Sequence, residues 1–317
     1  MSACPRPSCF APDCSCDLGH MDLTKCPSWG AVGEESSTST EVDTNSLLLP
    51  WSGSALGLSD LSFVAGSGKP MVVGVIGPQN AGKTTLLAAW YLLIGRGLTC
   101  SEKRRFAGSY SLAGWEALAG SLRWNPGNPP NFPPHTSSRG GRAPGLLHAS
   151  FRQRTGGVRS YLFTDAPGEW FQKWTMNRDA PDADGARWVA THADLFLLIA
   201  DRQALAGESR GSARSALQLL ARRLSAERID RPVALVWTKA DVPVAPELEA
   251  AVRDAVLKVM PDAREFSVSV SRSDNDDNKG QGLLELLDWV LDIRRARLSL
   301  PQPLAASSDL LFTYGVK

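Results

Sequence analysis

The sequence predicts an α/β fold, a mainly parallel six-stranded sheet with helices on both faces, carried by residues 47–298. Two observations point there. Short β-branched or apolar runs alternate with segments of helical periodicity along most of the chain, the pattern of repeated strand–helix units. The first run is joined to its helix by a glycine-rich turn, Gly77 to Thr84, of the kind that sits between a parallel strand and the helix after it.

In chain order, the strand Met71 to Ile76 leads into a helix over Lys83 to Ile94. After an irregular stretch come a strand near Leu146 to Gln153 and another over Tyr161 to Thr164. Leu195 to Ala200 precedes a helix over Ser212 to Ser225, and Val233 to Trp237 precedes Pro246 to Val259. Phe266 to Val270 precedes a last helix over Gln281 to Leu298. Residues 99–145 break the rhythm with one helical pattern, Tyr110 to Leu122, and a run rich in Pro, Gly and Asn, and read as an insertion. Ahead of the body lie a Cys-rich head, 1–29, and a Ser/Thr/Glu-rich linker, 30–46; a tail, 299–317, follows it. No internal repeat is present.

Composition narrows the function classes. With 317 residues a full core is within reach. The 34 Lys+Arg oppose 33 Asp+Glu, so no global field argues for nucleic acid, and none is expected as a partner. The longest apolar runs fall short of the ~20 residues that span a bilayer, so no membrane span is expected. The N-terminus lacks a basic stretch followed by an apolar core, which makes the cytoplasm the expected compartment. Five of the six cysteines lie in the first 26 residues, which suits a local metal site better than a disulfide framework.

The turn Gly77-Pro78-Gln79-Asn80-Ala81-Gly82-Lys83-Thr84 fits GxxxxGK[ST] between the strand and helix that this pattern requires. Its glycines let successive N–H groups converge on phosphate oxygens, and the helix N-terminus adds its positive dipole. Lys83 reaches the β and γ phosphates, and the Thr84 hydroxyl ligates Mg²⁺. Downstream, a strand delivers Asp165 and, three positions on, Gly168. After a phosphate loop, that spacing lets Asp165 hold Mg²⁺ through water and the Gly168 N–H sense the γ-phosphate.

Thr238-Lys239-Ala240-Asp241 sits at the end of the run Val233 to Trp237, where ligands gather in open α/β sheets. A carboxylate there accepts from guanine N1–H and N2–H₂ together, and adenine offers no matching donor pair. The Lys239 stem lies over the base. Ser269 and Val270, at the end of a later strand, present backbone to guanine O6.

With these motifs in order, residues 71–298 resemble the Ras-like GTPases of the translation-factor-related class. The resemblance implies GTP and GDP as ligands, a Mg²⁺ cofactor and nucleotide-dependent loops. It carries over to Gly77, Gln79, Asn80, Ala81, Gly82, Lys83, Thr84 and Thr85 at the phosphates, Asp165 and Gly168 at Mg²⁺ and the γ-phosphate, and Thr238, Lys239, Asp241, Ser269 and Val270 at the base. Thr238 replaces the commoner Asn. The glutamine that orients the attacking water has no match; Glu169 follows Gly168 instead, so hydrolysis is expected to be slow, to use Glu169, or to need a partner's residue. Thr136 is the choice for the switch-loop Mg²⁺ ligand, with Thr99 and Thr155 competing. Leu49-Pro50-Trp51-Ser52-Gly53, the insertion and the Cys-rich head also look like the GTPases of bacterial conflict (antiviral) gene clusters, including double-GTPase systems. That narrower likeness implies a second GTPase and a protein effector as partners.

In the head, Cys4, Cys9, Cys14, Cys16, His20 and Cys26 exceed one tetrahedral site, and four of them are expected to hold a structural Zn²⁺. Trp170, Trp174 and Trp188 read as core or as an effector surface. Lys103-Arg104-Arg105 reads as a solvated face, and Arg152, Arg154, Arg159 and Arg202 as candidates for a cis arginine finger. Asp274 to Asn278 lacks the full calcium-loop pattern and reads as an acidic turn. The expected function is a GTPase switch. The alternative is a pseudo-GTPase scaffold that binds guanine nucleotide and recruits partners; an ATPase or kinase is disfavoured by Asp241.

Overall fold

In the computed structural model, residues 23–26, 55–66, 68–98, 103–123, 131–133, 144–270 and 281–295 are described. The chain divides into two units, Met1–Leu48 and Leu49–Lys317. In the first, Leu23–Lys25 form one 3₁₀ turn and Cys26 is buried. The other five members of the zinc set lie outside the described residues, as do Thr136, Thr99, Leu49 to Gly53 and Asp274 to Asn278.

The second unit is built on a sheet whose centre is β1 (Met71–Ile76). On one side, β5 (Leu195–Asp201), β6 (Val233–Thr238) and β7 (Arg264–Ser267) continue in parallel. On the other, β4 (Val158–Asp165) pairs parallel with β1, and β3 (Gly145–Gln153) and β2 (Arg104–Gly108) follow antiparallel. The expected six strands are therefore seven, in the order β2-β3-β4-β1-β5-β6-β7. The additional one is β2, inside the segment read as an insertion.

The strands hold because both faces are covered. Along β1, β5 and β6 every residue is buried, and alternate side chains enter opposite cores. Phe196, Leu198, Leu235 and Trp237 pack with α4 (Gly168–Met176), α5 (Asp184–His192), α7 (Arg210–Glu227) and α8 (Pro246–Val259). Val73, Val75, Leu197 and Val236 pack with α2 (Lys83–Gly95), α3 (Leu112–Gly120) and α9 (Gln281–Asp292). Each such side chain contributes about 1.5–3 kcal/mol by leaving water. The short α1 (Leu61–Ala65) and α6 (Arg202–Ala206) complete the unit. Among the described residues, no helix is long and apolar enough to cross a membrane.

Three expectations change. Arg104 is buried rather than a solvated cation, because Asp288 and Asp292 of α9 pair with it. The last helix stops at Asp292, not Leu298. β7 ends at Ser267, so Ser269 and Val270 belong to the loop beyond it.

The insertion docks through a neutral histidine. Burial lowers the pKa of His148 on β3 to about 4, leaving Nδ1 free to accept from the Tyr110 N–H at 3.0 Å just before α3. Because β4, β1, β5 and β6 run in parallel, their carboxyl ends lie along one edge and bring Asp165, the Gly77 turn, Asp201 and Thr238 together.

Candidate nucleotide site

A pocket of about 510 Å³ opens at this edge. The turn between β1 and α2 forms its floor. Asn80 (φ 59°) and Gly82 (φ 85°) take the left-handed conformation that curls the backbone; Asn is among the few residues besides Gly that visit it at modest cost. The Lys83 ammonium folds back over the turn and donates to the carbonyls of Gly77 (3.1 Å) and Pro78 (2.7 Å). Burial lowers its pKa to about 8, against an opposing pull from Asp165, so it remains cationic at neutral pH.

Thr84 Oγ1 donates to Asp165 Oδ1 at 2.9 Å. A hydroxyl and a largely buried carboxylate at that separation make a hard-oxygen donor pair, which fits a Mg²⁺ held beside the phosphates. Gly168 begins α4 against the turn: a Cβ there would lie 2.2 Å from the Gln79 nitrogen, so only glycine permits the approach. Glu169 follows in the first turn of α4.

The base motif is tied to the same turn. Thr238 Oγ1 donates to Ala81 O at 2.8 Å, making it a brace between the two motifs. Lys239, left-handed at φ 53°, donates to Asn80 O at 3.1 Å. The Ala240 N–H bonds Val268 O at 3.1 Å, and the Ser269 hydroxyl donates to Asp241. Gln79 to Thr85, Gly168, Thr238, Lys239, Asp241, Ser269 and Val270 all line this one pocket.

A family model described as Double-GTPase 2 matches residues 71–290. The chain belongs to the Double-GTPase 2 family. It is a P-loop GTPase-family protein. No match is found among curated proteins. Among solved structures, the chain is similar to the GTPase-like domain of Ski7 from S. cerevisiae, bound to GTP. The identity is 14%, the match covers 79% of this chain and 58% of that one, and the TM-score is 0.38.

Several residues of this Double-GTPase 2 chain fall elsewhere than the motifs suggested. Thr155 lies in the β3–β4 turn, at the opposite end of β4 from Asp165, so it is no competitor for the switch threonine. Seven residues at about 3.3 Å each put some 23 Å between the two ends. Arg152, Arg154 and Arg159 share that distal end. Arg202 is committed to Glu249 at 2.7 Å and lies over the Trp237 ring, which leaves no cis finger among the four. Trp170 and Trp174 are buried, and Trp188 packs against the same core, so the cluster anchors α4 and α5 instead of forming an effector surface. The anchor is tight: a Cβ on Gly185 of α5 would lie 2.1 Å from the Trp170 ring.

Asp201, which no motif reveals, is the main addition. It ends β5, is largely buried, caps α6 by accepting from the Gln203 N–H at 2.9 Å, and pairs with Lys239 Nζ at 2.8 Å. Its only sequence signal is a carboxylate at a strand end beside the phosphate loop. Asp201→Asn keeps the cap and removes the charge that holds Lys239. Guanine-nucleotide affinity is expected to fall about tenfold, the worth of one charge-assisted hydrogen bond. Fluorescent-nucleotide titration checks it, and unchanged affinity would show that Asn80 alone suffices.

Proposed function

We propose that this protein binds GTP with Mg²⁺ and hydrolyses it to GDP and phosphate as a nucleotide-dependent switch that works beside a second GTPase in a bacterial conflict system. The observation that carries the reading is the convergence of Lys83, Thr84 and Gly168 within one pocket, with Asp165 hydrogen-bonded to Thr84 beside it. Water attacks the γ-phosphorus, the bond to the β–γ bridging oxygen breaks, and GDP leaves with the electron pair. Lys83 offsets charge on the β and γ oxygens, the Gly168 N–H faces the γ-phosphate, and Glu169 orients the water. Thr84 and Asp165 would hold Mg²⁺, which would supply neutralisation of part of the phosphate charge. The family description and the likeness to conflict-system GTPases support the second GTPase as partner.

The test is multiple-turnover phosphate release from GTP. Slow release is expected from the wild type, a loss of about 100-fold or more in Lys83→Ala, and a loss of tenfold or more in Glu169→Ala. The glutamate that stands where Ras-like proteins carry glutamine favours a second reading, a scaffold that holds GTP without turning it over. Retained GTP binding with no phosphate release would establish that reading and end the hydrolase one.

A further inference from the structure

We propose that the corner of the sheet where β2 meets the β3–β4 turn docks onto an anionic phospholipid surface. Lys103, Arg105, Arg152 and Arg154 are all exposed there, and Arg159 is half-exposed behind them. Backbone pairing fixes their closeness. Arg105 lies directly opposite Arg152, Arg152 lies opposite Val158, and the Arg154 N–H donates to Lys103 O at 2.9 Å.

Like charges facing each other across strands destabilise the pairing. Several arginines elsewhere in the unit are paired. Arg104, between two of these cations in sequence, is buried against Asp288 and Asp292, and Arg178, Arg228, Arg253 and Arg295 each carry a carboxylate partner. Among the described residues, no carboxylate forms an ion pair with any of the five corner cations. Charges on an edge strand keep other strands from adding to it, which accounts for Lys103 and Arg105. It does not account for Arg152 and Arg154 beyond that edge strand.

One apolar side chain sits among these cations: Val158, opposite Arg152, is 50% exposed. An exposed turn with guanidinium groups around an apolar side chain matches the headgroup layer, where the forks bind phosphate diesters and the valine enters the acyl boundary. An acidic protein surface would meet the cations but would leave Val158 without a counterpart. Docking here leaves the nucleotide pocket, at the other end of β4, facing away from the bilayer and open.

The experiment is co-sedimentation of the full chain with sucrose-loaded phosphatidylcholine vesicles, with and without about a third phosphatidylserine, at low and physiological salt. The wild type is expected to bind the anionic vesicles, more weakly as salt rises, and to ignore phosphatidylcholine alone. Each cation at an anionic surface is worth about fivefold in partitioning, so Arg105→Glu with Arg152→Glu is expected to reduce binding by at least 25-fold. Arg210→Glu with Arg214→Glu, the same change of charge on the exposed face of α7, is expected to leave it intact. Guanine-nucleotide binding, measured separately, stays unchanged in both variants and reports an intact fold. Failure to bind anionic vesicles, or equal loss in the two variants, would overturn the proposal. So would a wild type that ignores vesicles but binds a fluorescent polyglutamate peptide through the same corner, which would assign the surface to an acidic protein.

Discussion

Asp241→Asn is expected to exchange the preferred base. On the proposed reading the wild-type carboxylate accepts two donors from guanine, and an amide would turn one of those contacts into a donor facing a donor. Hydrogen bonds to a charged group are worth about 1.5–3 kcal/mol each, so GTP affinity should drop by about 100-fold or more. XTP, with a carbonyl where guanine carries its amino group, should gain, because the amide can donate to it. The surroundings of Asp241 support a local effect: the Ser269 hydroxyl donates to it, and the backbone of Ala240 is pinned to Val268. Competition of GTP, ATP and XTP against a fluorescent guanine nucleotide gives the answer. Equal competition by ATP against the wild type would refute base reading by Asp241.

Gly168→Ala is the second large effect. The added methyl would lie 2.2 Å from the Gln79 nitrogen and 2.5 Å from its Cα, both backbone atoms, so α4 must move away from the phosphate turn by more than 1 Å. The helix is not free to follow: Trp170, Phe171 and Trp174 are buried, and truncating any one to Ala would cost about 3–5 kcal/mol. The strain therefore falls on the contact between α4 and the turn. A displacement of about 1 Å at a catalytic centre lowers turnover by about 100-fold. GDP affinity should change less than about threefold, because Thr238, Lys239 and Asp241 are untouched. Single-turnover phosphate release beside GDP titration separates the two, and unaltered release would show that Gly168 does not place the γ-phosphate.

Much of the fold was legible. β1 and β6 were read almost to the residue, because a strand buried on both faces is a continuous apolar run bounded by turn residues. The helix from Pro246 to Val259 was legible from its proline start and apolar period. β2 was not. Arg-Arg-Phe-Ala-Gly carries no strand pattern, and the burial of its Arg104 depends on carboxylates more than 180 residues further along. The arginines of the β3–β4 turn looked like finger candidates because distance along a chain does not say which end of a strand a residue occupies.

By itself the sequence determined the phosphate turn, the Asp165–Gly168 pair, the base motif and the alternation that forces a parallel sheet. Each is a local pattern, set by backbone freedom at glycine, side-chain chemistry or periodicity within a few residues. Only the tertiary structure decided that Thr238 braces the turn, that Asp201 holds Lys239, that the tryptophans lock α4, and that the distal arginines gather at one corner. Those arrangements join groups far apart in the chain. They exist only once the sheet has closed: burial makes Thr238, Asp201 and Lys239 find partners, and strand register brings the arginines together.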